Sequence, residues 1–352
     1  MGGAAISSFG TAVPASIAQA ELWDGFFAGH YARNPVAERM FRAVGVRTRH
    51  GVVNPVVEDV SRWPTSARMR RYVAEALPLG KEALGDALSG AGLRPEDLGM
   101  LVVTSCTGYV SPGLNVLLAR DLGMSSDLRS LLLGHMGCYA ALPGLAAAAD
   151  YAELHQRPAL LLSLELTSLH LQPSQLPSYA LTAESVQQMV VHALFGDAAA
   201  AVVVAPGGGG LEVLDTVAVT DTTTADMMTW DIGEQGFVMG LDAEVPAVLG
   251  RHAGPVVERL LSQHRLTVPD IAGWVLHPGG PAILEAVRDA VGLADEALEP
   301  SRAVLRDYGN CSSPTVLLIL ERVAASLAEG DHAVVMAFGP GLTLYATLLR
   351  KR

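Results

Sequence analysis

Two apolar runs constrain this chain most: ALLLSLEL at 159–166 and AAAAVVVAP at 198–206. Each is short and lacks a polar face, so each reads as a strand covered on both sides. Strands of that kind belong to sheets with helices packed on both faces. GMLVVTS (99–105) and LLLG (131–134) read as buried strands for the same reason. Helical patterns lie between them: residues 63–92, ending at the Gly90–Gly92 breaker; SPGLNVLLARDLG (111–123); the Ala/Leu-rich stretch after Cys138; and a segment ending near LFGD (194–197). At the front, AAISSFGTAVP reads as a strand and turn, and residues 18–45 carry helical spacing.

The pattern repeats beyond the glycine run 207–210. LEVLDTVAVT reads as a strand, 243–265 as a helix, IAGWVLHPGG as a strand entering a loop, and PAILEAVRDAVG and SPTVLLILERVAASLAEG as helices. HAVVMAFGPGLTLYATLL closes the chain as two strands around a glycine-rich turn. The fold class is α/β with buried mixed sheets, in two halves, 1–206 and 207–352.

Bulk properties exclude several functions. A net charge of −12 argues against nucleic-acid partners, which need Lys and Arg. No apolar run reaches membrane-spanning length. No basic segment leads into an apolar signal core, and MGGAAIS fits a myristoylation pattern only with Ser7 one place late. Three cysteines, Cys106, Cys138 and Cys311, cannot form a disulfide framework and fit a reducing compartment. The chain reads as cytoplasmic, and no His/Cys cluster has metal-ligand spacing.

Three residues share one local context. Cys138, in LLLGHMGCYAALPGL, sits between a strand and a helix, where unpaired backbone N–H groups favour a thiolate. Buried packing of a free thiol is the plain alternative, and Pro143 falls in the early helix, where it removes a donor. His277 ends the apolar run WVL and is held by Pro278, Gly279, Gly280 and Pro281; it reads as a ligand-facing imidazole or a loop histidine bonded to a carbonyl. Asn310, in DYGNCSSPTVLLIL, offers an oxyanion donor or a helix N-cap. Thiol, imidazole and amide together are a complete set for acyl transfer through a thioester.

GHMGCYAALPGL, LFGDAAAAVVV, WVLHPGGPAIL, DYGNCSSPTVLLIL and AFGPGLTLYA, in that order over residues 99–352, resemble the landmark motifs of type III polyketide synthases, the chalcone synthase-like family, in bacterial form. The resemblance implies a thiolase-like, duplicated αβαβα layered fold with two buried mixed sheets. It implies that Cys138 accepts an acyl-CoA starter (or malonyl-CoA itself), and that His277 keeps the thiol ionised. His277 and Asn310 would then stabilise the enolate formed when malonyl-CoA loses carbon dioxide. Chain extension and cyclisation would give an aromatic or pyrone product, with CoA thioesters as substrates, no cofactor and no metal.

The resemblance also assigns supporting residues. Phe195 and Met239 are gatekeepers between CoA tunnel and cavity. Glu165, Thr167 and His170 line the cavity, and Cys106 lies beside it near the dimer contact. Gly339, Pro340 and Gly341 form a turn against the site. Asp197 orients backbone near Phe195, and Cys311 points into the core. Arg42, Arg47 and Arg49 meet the CoA phosphates. A homodimer is expected. Tyr139, Ala141–Leu142 and Pro143 depart from the usual pattern around the thiol. A ketoacyl-ACP synthase III-like enzyme shares Cys, His and Asn, but HPGGP and FGPGLT favour the polyketide synthase. An inactive thiolase-fold scaffold is the reading from a different class.

Overall fold

A computed structural model describes residues 3–173 and 181–352. Its strands are β1 (Ala4–Ala12), β2 (Ser16–Ala18), β3 (Thr48–His50), β4 (Met100–Thr104), β5 (Arg129–Leu133), β6 (Ala159–Glu165), β7 (Ala198–Pro206), β8 (Leu211–Thr220), β9 (Met228–Gly233), β10 (Gly236–Leu241), β11 (Ile271–Leu276), β12 (His332–Gly339) and β13 (Thr343–Lys351). The main helices are α1 (Pro35–Ala43), α2 (Thr65–Ala91), α3 (Leu114–Asp121), α4 (Ala141–His155), α5 (Ala183–Leu194), α6 (Val245–Gln263), α7 (Pro281–Val291), α8 (Glu299–Tyr308) and α9 (Thr315–Ala324). The two opening runs, β6 and β7, begin where the sequence placed them.

Strand alternation generates the layers. On β6, Leu160, Leu162 and Leu164 face one apolar cluster shared with α2, while Ala159 and Leu161 face another shared with α4 and α9. On β12, Ala333, Val335 and Ala337 face the α4–α9 cluster, and Val334, Met336 and Phe338 face α6 and α7. The order is therefore α2, sheet, α4 with α9, sheet, α6 with α7. The central pair must be apolar all round, as VLLIL in α9 is. Each fully buried leucine there contributes roughly 1.5–3 kcal/mol relative to exposure.

The two expected sheets join at one seam. The strand order is β11-β12-β13-β8-β1-β7-β6-β4-β5. β1 pairs antiparallel with β7 along its length and with β8 only at Ala5↔Glu212 and Ile6↔Leu211. The run Gly207–Gly210 carries the chain around β1 between these two strands. Gly210 has φ +117°, and a Cβ there would lie 2.1 Å from the Ile6 carbonyl oxygen, so only glycine fits.

Three local expectations change. LLLG is not buried: β5 is the sheet edge, and Leu131 and Leu132 are 40% and 43% exposed. The helical stretch 18–45 breaks, with a π-helical turn at Trp23–Phe27 and left-handed Ala32 and Arg33, before α1 restarts behind an Asn34 cap. Residues 228–241 form a hairpin, β9–β10, apart from the main sheet, which the sequence did not announce. Among the described residues, no helix is long and apolar enough to cross a membrane.

Candidate active site

Cys138 lies in a single 3-10 turn, Gly137–Tyr139, that leads into α4. Gly137 has φ +71°, and a Cβ there would meet Pro340 Cδ at 2.9 Å. A Cβ on Gly339 would lie 2.9 Å from the Tyr139 ring and 3.4 Å from Cys138 N. The glycine-rich turn between β12 and β13 is thus pressed onto the thiol's own turn. Tyr139 stacks on Tyr345, with ring centroids 5.4 Å apart; this explains the large residue beside the cysteine. Pro143 leaves α4 unbroken because it sits in the first turn, where its missing N–H has no intrahelical acceptor.

His277 follows the last residue of β11 and is 1% exposed. Its backbone N–H donates to Met336 O at 2.9 Å, extending the parallel ladder to β12. Its ring meets Phe338 edge-on at 5.7 Å. Among the described residues, neither Nδ1 nor Nε2 has a hydrogen-bond partner. Asn310 does not cap the following helix, whose N-cap is Pro314 without a side-chain bond; it closes a local turn instead. Its side-chain oxygen accepts from Ser312 N–H at 2.8 Å; Asn310 shares a small void with Cys138, and the side chains of Asn310 and Ser312 work against burial by favouring the ionised thiol. Asn310 N–H donates to Leu194 O at 2.9 Å, and Gly196 N–H donates to Asn310 O at 3.0 Å, so Phe195 and Asn310 form a backbone bridge.

Cys138, His277, Asn310, Phe195 and Met239 all border one small void of about 20 Å³. Cys138, Phe195 and Met239 also border a cavity of about 700 Å³ on the other side. Phe195, Met239 and Met228 thus border both spaces, whereas His277 and Asn310 border only the smaller one. Burial pushes the Cys138 thiol up to about 12 and the His277 imidazole down to about 3. Burial thus favours the neutral form of each group taken singly.

The remaining assignments divide. Thr167, His170 and Cys106 border the large cavity. His170 is fully engaged: Nε2 donates to Thr107 O at 2.7 Å and Nδ1 accepts from Phe237 N–H at 2.9 Å. Glu165 does not reach the cavity. It is 0% exposed behind Cys106 and accepts from Cys106 N, Thr107 N, Thr107 Oγ1 and Ser313 Oγ at 2.7–3.1 Å. Burial nonetheless pushes it up to about 7. Gly341 faces Thr343 and Thr220; Pro340 borders the cavity in its place.

The arginines do not form one cluster. Arg42 and Arg47 are exposed and paired with Glu38 at 2.7 Å and Asp307 at 3.2 Å. Arg49 differs from both: it is 7% exposed, its Nη1 donates to the His192 and Phe195 carbonyls, and its side chain borders the large cavity. Asp197 orients backbone as expected, accepting from Ser168 N at 2.8 Å and Val52 N at 2.9 Å. Cys311 is buried in the core. Sequence reasoning missed Ser312, a left-handed residue at φ +58° against the thiol, and Trp230, whose Nε1 donates to Cys106 O at 2.8 Å. No residue-type signal marks Ser312; its position two after Asn310 is the only clue.

Residues 1–208 match the N-terminal domain of the chalcone and stilbene synthases, and residues 216–351 match the C-terminal domain of the same family. The chain is 35% identical over 331 residues to a 1,3,6,8-tetrahydroxynaphthalene synthase of Streptomyces peucetius subsp. caesius, covering 91% of this chain and 84% of that protein. It is 29% identical to Pks18 of Mycobacterium tuberculosis, described as alpha-pyrone synthesis polyketide synthase-like, covering 88% and 81%. The crystal structure of the Streptomyces coelicolor A3(2) tetrahydroxynaphthalene synthase, a bacterial type III polyketide synthase, superposes with a TM-score of 0.91 at 28% identity, over 99% of both chains.

Proposed function

The chain belongs to the chalcone and stilbene synthase family, the type III polyketide synthases, and on that premise we propose that Cys138, His277 and Asn310 carry its acyl transfer. The observation behind this assignment is the shared void, with both nitrogens of a fully buried imidazole unpartnered beside a thiol and an amide. Buried polar groups are normally paired, so an unpaired imidazole there is a group awaiting substrate.

His277 takes the Cys138 proton as sulfur attacks the starter thioester, and CoA thiol leaves with a proton returned from the imidazole. Malonyl-CoA then places its thioester oxygen between His277 and Asn310. As carbon dioxide departs, the electron pair of the broken C–C bond becomes the enolate, and the two preset donors stabilise its oxygen. They do what a Lewis acid would otherwise do. The enolate carbon attacks acyl-Cys138, sulfur leaves, and the extended chain is reloaded. Successive rounds fill the 700 Å³ cavity, where Phe195, Met239 and Thr167 touch the growing chain. Cyclisation there yields an aromatic or pyrone product.

Arg42 and Arg47 are the cations proposed for the CoA phosphates, because each is exposed and held by a single exposed or half-exposed carboxylate. The apolar β5 edge, with Val116 of α3 beside Leu131 and Leu132, supports a homodimer formed on that side. A cytoplasmic enzyme fits the free buried thiols. The test is incubation with malonyl-CoA and a panel of acyl-CoA starters, without carrier protein, followed by mass spectrometry. Carrier-free polyketide formation that vanishes in Cys138→Ser is expected. Turnover that needs acyl carrier protein would sink the assignment.

A further inference from the structure

We infer that Arg49 is a positioning residue, whose guanidinium fixes the end of α5 and the Phe195–Asn310 bridge so that Asn310 keeps its place in the void it shares with Cys138 and His277. The inference rests on the reading of Asn310 as enolate donor.

The last carbonyls of a helix have no intrahelical partners. At the end of α5 they are all taken, and by different parts of the chain. Ala193 O accepts from Gln19 Nε2 at 2.7 Å, and Leu194 O accepts from Asn310 N at 2.9 Å. His192 O accepts from Arg49 Nη1 at 2.6 Å, and the same nitrogen donates to Phe195 O at 2.8 Å. One cation thus closes the helix terminus, complements its dipole and grips the gate residue. The bridge partner of that gate residue is Asn310.

The surroundings allow little slack. Among the described residues no carboxylate pairs with Arg49; its guanidinium lies 5.7 Å from the Phe27 ring and 6.0 Å from the Phe41 ring. A Cβ on Gly196 would lie 2.5 Å from Tyr308 O and 3.2 Å from Arg49 Cβ, and one on Gly309 would lie 2.7 Å from Leu194 O and 3.5 Å from Arg49 Cβ. The two site loops therefore close around the stem of this arginine. β3 itself is tied on both sides: Arg47 N–H donates to Arg306 O at 2.7 Å, and Asp197 N–H donates to His50 O at 2.9 Å. Removing the guanidinium leaves two buried carbonyls unpaired at the point where Asn310 is anchored, and relaxation there displaces the amide.

Arg49→Lys and Arg49→Met test this in the full-length enzyme. Starter loading of Cys138, read by intact-protein mass spectrometry in a single turnover, is expected within about threefold of wild type, which also certifies folding. Malonyl-CoA decarboxylation is expected to fall about 10²-fold in kcat, the scale of a misplaced catalytic group, with KM for malonyl-CoA within about twofold. Arg47→Ala supplies the contrast: a raised KM with kcat kept. Combining Arg49→Lys with Asn310→Ala is expected to add no further loss, because both remove the same donor's action. A raised KM at unchanged kcat in Arg49→Lys would overturn the inference, as would loading lost in parallel with decarboxylation in both variants. Additive losses in the double variant, with Asn310→Ala itself slow, would overturn the inference alone. Asn310→Ala at wild-type rate would overturn the enolate-donor reading and the inference with it.

Discussion

Glu165 and His277 are both buried close to Cys138, and they are opposites in how their polar atoms are met. Glu165 accepts four hydrogen bonds at 2.7–3.1 Å from the Cys106–Thr107 loop and Ser313. His277 has both ring nitrogens unpartnered among the described residues. A paired buried group stiffens a wall and holds a loop; an unpaired one keeps its free energy in reserve for whatever enters. The difference separates frame from chemistry more sharply than burial does, since the two are almost equally buried.

The largest break in that comparison is at the sulfur between them. Cys138→Ser should retain the fold and lose polyketide formation by more than about 10³-fold; product assays beside a thermal melt check this, and an active variant would refute the nucleophile. Next, Asn310→Ala should slow malonyl-CoA decarboxylation by about 10²–10³-fold, the usual cost of one oxyanion donor, while starter loading is far less affected. Third, the neutral thiol predicts how alkylation depends on pH. With Cys138 pushed up to about 12 and His277 down to about 3, the rate of iodoacetamide modification should keep climbing, by about tenfold per unit between pH 7 and 9. A plateau beginning near pH 5 would show a standing ion pair instead.

The fourth prediction concerns Glu165. Its carboxyl is raised from the usual 4.5 to about 7 in the folded protein. Between those values the native state holds a proton that the unfolded chain has released, so this group's contribution to stability is full below pH 4.5 and is lost as pH rises toward 7. Glu165→Gln removes the titration and should gain stability relative to wild type across that window, by roughly 2–3 kcal/mol at its top. Denaturant midpoints from pH 4.5 to 7.5 measure the difference, and a difference that does not change with pH would contradict it. The smallest effect belongs to Met239→Phe, which stiffens a gate wall. Product distribution should shift toward shorter chains, with turnover within about threefold; an unchanged product profile would remove Met239 from the gate.

The parts legible in the sequence were those in which local pattern and environment coincide. β6 and β7 were visible because both faces are buried and the runs are continuous, and β13 because most of its length is buried. Cys138, His277 and Asn310 were visible because each ends a rigid, glycine- or proline-marked step. Arg49 was not, because three arginines within eight positions look alike in sequence; in the fold Arg47 precedes β3 and stays exposed, while Arg49, within β3, is buried. β5 failed in the other direction. An apolar strand is expected to be covered, and only the strand order shows that it is an edge. Glu165 was assigned to the cavity wall by resemblance alone, which does not say that the Cys106–Thr107 loop lies between it and the cavity.

The seam at β1 has a consequence for how the molecule comes into being. β1 reaches β7 along eight residue pairs but meets the later half at only two. The sheet that carries Cys138 has all its own strands once synthesis has passed Pro206. His277 follows, then Asn310, and Met336, which holds His277, comes later still. During translation the turn that carries the thiol therefore has neither the imidazole and amide beside it nor the Gly339–Gly341 turn pressed upon it, until the closing strands arrive. The enzyme acquires its reactivity last, after the wall that will contain it is already built.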